Sequence, residues 1–170
     1  PEYPKRAHAL FDKYHPFEVS NELSLVEKNE KMLEWWKTHF ELMIECGMNA
    51  EVIKDIIEKK KIVLREGTEE FLDLLEKYNI PLLILSAGLG DVIKEYLKSI
   101  GKLHKNIHII SNFYEFDIQG KVTGFKSQII HSFNKNEIAV KEHPYYKEIK
   151  NRKNVVLLGD GIGDLGMVEG

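Results

Sequence analysis

Cysteine is nearly missing from this 170-residue chain, with Cys46 standing alone. One thiol excludes an intrachain disulfide framework and every Cys-x-x-Cys metal or redox pattern, and it suits a reducing compartment, the cytosol by default. Missing too is any apolar run near the roughly 18 residues needed to span a bilayer, so no membrane association is expected. The polar opening Pro1-Glu2-Tyr3-Pro4-Lys5-Arg6 is no signal peptide, which places any targeting segment outside the chain. Neither sign of charge dominates: 24 basic residues against 27 acidic leave a net of −3, with no electrostatic footprint for nucleic acid. Internal repeats and low-complexity linkers are absent. What remains is 43% hydrophobic, enough for a globular core.

Two patterns divide that material. The first third is helical and rich in aromatics, with Leu25, Met32, Trp35, Trp36, Phe40, Met43 and Ile44 recurring at spacings of three and four. Ser24 stands three residues before Glu27, the signature of a capping box. A further helix is expected from about Asn49 to Lys61, with Val52, Ile53, Ile56 and Ile57 on one face. Its basic end, Lys59-Lys60-Lys61, reads as a solvated helix terminus in preference to a phosphate site. From Glu66 onward helix and strand alternate. A helix carries Phe71, Leu72, Leu74 and Leu75, and a buried strand follows at Leu82-Leu83-Ile84-Leu85. A helix then opens at Ser86-Ala87-Gly88-Leu89-Gly90-Asp91 and stops at Gly101. Another strand is read at Ile107 to Asn112, and Phe113 to Phe125 resembles a hairpin turning at Gln119-Gly120. Strands alternating with helices argue for an α/β fold with a parallel sheet.

Chemistry is suggested in two places. The apolar run Val155-Val156-Leu157-Leu158 leads into Gly159-Asp160-Gly161-Ile162-Gly163-Asp164. A buried parallel strand delivering Asp160 and Asp164 to its carboxyl end would place them where ligands bind in open sheets. Two close carboxylates invite a hard divalent cation, although a strand-to-helix turn with an Asp cap would read the same way. Ser86, after one strand and before a helix, would aim its hydroxyl and the N–H groups of Ala87 and Gly88 at one spot. That reads as a phosphate contact in preference to a plain N-cap. Asp91 is either a helix cap or a group backing that loop. Lys135 is anonymous by composition, and Trp35 and Trp36 serve either as a stacking wall or, more commonly, as core packing.

The order of these motifs is specific. A hydroxyl after a strand, a later lysine and Gly159-Asp160-x-x-Gly163-Asp164 resemble motifs two to four of the haloacid dehalogenase-like phosphatases. Leu85-Ser86-Ala87-Gly88-Leu89-Gly90-Asp91, Ser111-Asn112-Phe113, Gly124-Phe125-Lys126, Ile130-His131-Ser132-Phe133-Asn134-Lys135 and Leu158-Gly159-Asp160 resemble the cytosolic 5'-nucleotidase III family, the pyrimidine 5'-nucleotidases. The likeness spans essentially the whole chain, including Phe17-Glu18-Val19 and Glu34-Trp35-Trp36-Lys37-Thr38-His39.

The resemblance implies a Rossmann-like α/β core of the haloacid dehalogenase type with a helical cap: residues 1–64 as cap and 65–170 as partial core. It implies Mg2+-dependent hydrolysis of nucleoside 5'-monophosphates through an aspartyl-phosphate, by a monomer when complete. CMP, UMP and 7-methyl-GMP are the expected substrates. Ser86, Ala87 and Lys135 would bind the phosphate, Glu18 and Thr38 the base, and Asp160 the metal, with Asp164 in support. Gly161 stands where the family more often has Ser. More consequentially, no Asp-x-Asp pair occurs anywhere in the sequence, so the nucleophile, the acid/base aspartate and the first core strand are missing from these residues. The chain alone is therefore expected to be inactive. The rival readings are a non-catalytic nucleotide-binding homologue and a phosphatase of phosphoserine or other small phosphomonoesters.

Overall fold

A computed structural model describes residues 2–59, 62–135, 145–159 and 162–167. The chain begins with two long helices, α1 (Glu2–Val19) and α2 (Leu25–Glu45). Their cross-contacts run in opposite order, Arg6 with Glu45 and Tyr14 with Glu34, each at 2.6 Å, so the pair is antiparallel. The capping box starts α2 as expected: Ser24 Oγ accepts the Glu27 N–H at 3.3 Å, and Glu27 returns a carboxylate to the Ser24 N–H at 2.9 Å. Phe40 and Met32 are buried on its inner face. Helix α3 (Ala50–Glu58) is capped by the Asn49 side chain and ends sooner than the expected Lys61, with Lys59 at its C-cap paired to Asp55. Lys60 and Lys61 lie outside the described residues.

Helix α4 (Thr68–Lys77) leads into strand β1 (Leu82–Leu89), helix α5 (Gly90–Ser99) and strand β2 (Ile107–Asn112). The strands pair in parallel, Leu82 opposite Ile107 through Leu85 opposite Ile110, with α5 as the crossover. The hairpin follows as β3 (Tyr114–Phe116) and β4 (Val122–Phe125). Its turn holds because the Asp117 carboxylate accepts N–H groups from Gln119 and Lys121, each at 2.9 Å, while Gly120 takes a left-handed φ of 80°. A short helix α6 (Tyr146–Ile149) and a 3-10 turn (Ile162–Met167) complete the described elements.

Two expectations are corrected. Strand β1 does not stop at Leu85 to let Ser86 open a helix; it continues through Ser86, Ala87 and Gly88 to Leu89, and α5 starts at Gly90. The extension is held by side chains of β2, since Ser111 Oγ donates to the Gly88 carbonyl at 2.9 Å and Asn112 Nδ2 to the Ala87 carbonyl at 2.7 Å. Backbone groups satisfied in this way have no need of a helical turn. The second correction concerns Val155 to Leu158, which is not a strand: Val155 and Val156 are 73% and 85% exposed. No strand runs beside it among the described residues, and strand pairing needs a partner for the backbone. The described sheet is therefore a parallel pair and a separate hairpin, a mixed α/β arrangement smaller than the full sheet the sequence pattern implies.

Three apolar clusters hold this together. Leu85, Ala87, Ile110, Ile130 and Tyr145 form one, Phe40, Tyr114 and Val122 a second, and Leu72, Leu97 and Ile107 a third. Trp36 of α2 packs against both the first and the second. It joins the N-terminal helices to the end of β1, its half-buried ring adding apolar contact to both clusters.

Candidate active site

The end of β1 and the segment 129–135 are laced together by one side chain. Asn112, 2% exposed, donates to the carbonyls of Ala87 at 2.7 Å and Ile130 at 2.9 Å, and its Oδ1 accepts the Ile130 N–H at 2.8 Å. Both amide protons are thereby spent on buried carbonyls. The segment is braced again within itself: Asn134 Oδ1 accepts the His131 N–H at 2.7 Å, and Asn134 Nδ2 donates to the Ile129 carbonyl at 2.8 Å. His131 is 3% exposed, and burial pushes its pKa down to about 4, so the imidazole is neutral at pH 7. Its Nδ1 accepts the Phe133 N–H at 3.3 Å, which places the ring proton on Nε2.

From this braced segment Lys135 extends to Asp164, Nζ to Oδ1 at 3.0 Å, with side chains 18% and 12% exposed. An ammonium carries three donors, so two remain for an anion. Gly159 makes room for the carboxylate: a Cβ there would fall 2.7 Å from Asp164 Cβ and Oδ2. Ser86 Oγ accepts the Gly88 N–H at 3.0 Å and keeps its own proton for another partner. Beyond it, Asp91 accepts the Tyr114 N–H at 2.8 Å and ties α5 to the hairpin; burial raises its pKa, partly countered by that bond.

The sequence-derived residues are thus distributed as follows. Lys135 and Asp164 are in direct contact, and Ala87 is bound to the Lys135 segment through Asn112. Glu18, at the end of α1, reaches the same segment, where Ser132 Oγ donates to its Oε1 at 2.6 Å. Thr38 donates its hydroxyl proton to the Glu34 carbonyl one turn back in α2, at 2.8 Å. Trp35 stacks on Tyr14 with centroids 6.0 Å apart and an interplanar angle of 10°, which is helix-to-helix packing. Asp160 lies outside the described residues. Among the described residues no group of three His, Cys, Asp or Glu side chains gathers as a metal cage. The oxygen chemistry of Asp164, held against the backbone that precedes Asp160, nonetheless suits a hard cation. Asn112, Ser132 and Asn134 fall inside stretches that carry the family resemblance, but reading the sequence gave them no role of their own. The Asn and Ser types carry no chemical signal, and their partners lie 18 to 114 residues away, Asn134 excepted.

The pyrimidine 5'-nucleotidase (UMPH-1) family model matches residues 1–170. The chain is 39% identical over 166 residues to the 7-methylguanosine phosphate-specific 5'-nucleotidase A of Xenopus laevis, covering 98% of this chain and 57% of that protein. Against the 7-methylguanosine phosphate-specific 5'-nucleotidase of Homo sapiens it is 38% identical, covering 98% and 55%. A crystal structure of cytosolic 5'-nucleotidase IIIB bound to cytidine superposes with a TM-score of 0.79 at 34% identity, covering 98% of this chain and 56% of that one. The chain therefore spans little more than half the length of these relatives. No helix among the described residues is long and apolar enough to cross a membrane.

Proposed function

The chain belongs to the pyrimidine 5'-nucleotidase (UMPH-1) family, and on that premise we propose that it supplies the phosphate- and base-binding surfaces of a cytosolic enzyme that hydrolyses nucleoside 5'-monophosphates. CMP, UMP and 7-methyl-GMP are the substrates proposed, with nucleoside and inorganic phosphate as products. The observation that carries the reading is the contact between Lys135 and Asp164, made from a segment that Asn112 fastens to Ala87.

In this reading residues 65–170 form part of a haloacid dehalogenase-type core and residues 1–64 its cap. The Lys135 ammonium neutralises the phosphoryl oxygens, which gather negative charge on the way to the transition state, and the Ser86 hydroxyl and Ala87 N–H orient them. Asn112 fixes the spacing between these groups, so little reorganisation is needed when the phosphate arrives. Mg2+, held by Asp160 with support from Asp164, would supply further charge neutralisation. In the cap, Thr38 has its proton committed to the Glu34 carbonyl. Its lone pairs and the Glu18 carboxylate then both present acceptors, which suits a base with N–H donors on its pairing edge. No Asp-x-Asp pair occurs in the 170 residues. The carboxylate that attacks phosphorus has to come from elsewhere in the protein, and these residues alone are expected to bind without cleaving.

The test is phosphate release by the full-length protein from CMP, UMP, 7-methyl-GMP, 3'-CMP and phosphoserine, with Mg2+ and with EDTA. Release from the 5'-esters alone, abolished by EDTA, is expected. Binding of the 5'-nucleotides without release would favour the non-catalytic homologue. Equal release from 3'-CMP or from phosphoserine would overturn nucleotide specificity in favour of a general phosphomonoesterase.

A further inference from the structure

Among the described residues, two contacts of polar side chains join the segment that carries Lys135 to the N-terminal helices. Ser132 donates to Glu18 Oε1 at 2.6 Å, and Lys28 of α2 stands over the Phe133 ring at 5.5 Å. Ser132 is three residues from Lys135, and it lies between buried His131 and half-buried Asn134, which are hydrogen-bonded to each other across it. An exposed Glu at a helix end samples many rotamers. A Glu whose Oε1 accepts a short, charge-assisted bond from a fixed hydroxyl does not. With Oε1 held, Oε2 is left to the ligand at a set height and angle.

We propose that Ser132 is a positioning residue: it orients the Glu18 carboxylate for base recognition and ties it to the segment that presents Lys135. The proposal rests on the nucleotidase reading given above, in which Glu18 meets the base. Ordering of the Glu18 side chain is settled before the ligand arrives, so base-bearing substrates gain affinity that base-free esters do not. The contact also makes base recognition and phosphate neutralisation share one rigid segment, 129–135.

The test compares kcat and KM of the full-length protein for CMP and for ribose 5-phosphate, the same ester without a base. For Ser132→Ala the ratio of kcat/KM, CMP over ribose 5-phosphate, is expected to fall about tenfold, mainly through KM, the low end for a bond to a charged group. Ser132→Thr, which keeps the hydroxyl, is expected to restore the ratio to within about twofold. Adding Ser132→Ala to Glu18→Ala should lower it no further, because both changes remove one interaction. If Ser132→Ala depresses both substrates alike, the residue only maintains the segment and the proposal is overturned. If Glu18→Ala lowers the ratio and Ser132→Ala does not, Ser132 alone is excluded. If Glu18→Ala leaves the ratio unchanged, base recognition by Glu18 falls and the proposal with it. For a protein that binds without cleaving, dissociation constants of the two ligands give the same ratio.

Discussion

Replacing Asn112 by Asp changes one NH2 group to oxygen at a side chain that is 2% exposed. The Oδ1 that accepts the Ile130 N–H survives, but the two donors to Ala87 and Ile130, at 2.7 and 2.9 Å, become an oxygen facing two carbonyls. Each buried carbonyl left without a donor costs about 1–3 kcal/mol. The pair therefore sets a destabilisation of roughly 4 kcal/mol at pH 7, large for a single substitution. Burial and the facing carbonyls raise the pKa of the new carboxyl above its unfolded value near 3.9. The folded variant thus holds its proton to higher pH than the unfolded one, and acidification stabilises it relative to wild type. Once protonated, the acid recovers one donor, and the deficit at pH 5 should shrink to about half. Urea unfolding of wild type and variant at both pH values measures this directly. A deficit under about 1 kcal/mol at pH 7, or one that widens on acidification, would refute the latch assigned to Asn112.

Gly159→Ala places a methyl group where Asp164 Cβ and Oδ2 stand at 2.7 Å; kcat/KM for CMP is expected to fall at least about tenfold, with a urea midpoint near that of wild type. His131 is held neutral by burial, its pKa pushed down to about 4. The unfolded chain therefore takes up the proton first as pH falls through roughly 6.5, and stability declines toward pH 4. With solvent screening allowed for, this amounts to about 1–2 kcal/mol, and His131→Gln should flatten the stability profile between pH 7 and 5.

Features set by neighbours in sequence were legible, and features set by distant partners were not. The Ser24–Glu27 box, the Asp117–Gly120 turn and the β1–α5–β2 unit are each written in a few adjacent residues, and the structure has all three. The run through Ser86 to Leu89 carries a glycine and a hydroxyl that read locally as a helix start. Its extended form depends on Ser111 and Asn112, more than 20 residues on. Val155 to Leu158 has the composition of a buried strand, but a strand is a pairing and composition does not provide the partner. The proximity of Lys135 to Asp164 and of Glu18 to Ser132 is a property of the tertiary fold. From the sequence, family resemblance alone singled out Lys135 among the 24 basic residues.

If the Lys135 segment receives the phosphate of a nucleoside 5'-monophosphate, removing its charge should stop turnover; the rate of inorganic phosphate release from CMP by the full-length protein in Mg2+, for wild type and for Lys135→Met, measures this. Methionine keeps the length of the side chain and removes the charge. Wild type is expected to release phosphate, and the variant to lose about a thousandfold or more in kcat/KM, as befits removal of a charge placed on the transferring phosphoryl group. Equal rates for the two proteins would contradict a phosphate-binding role for Lys135.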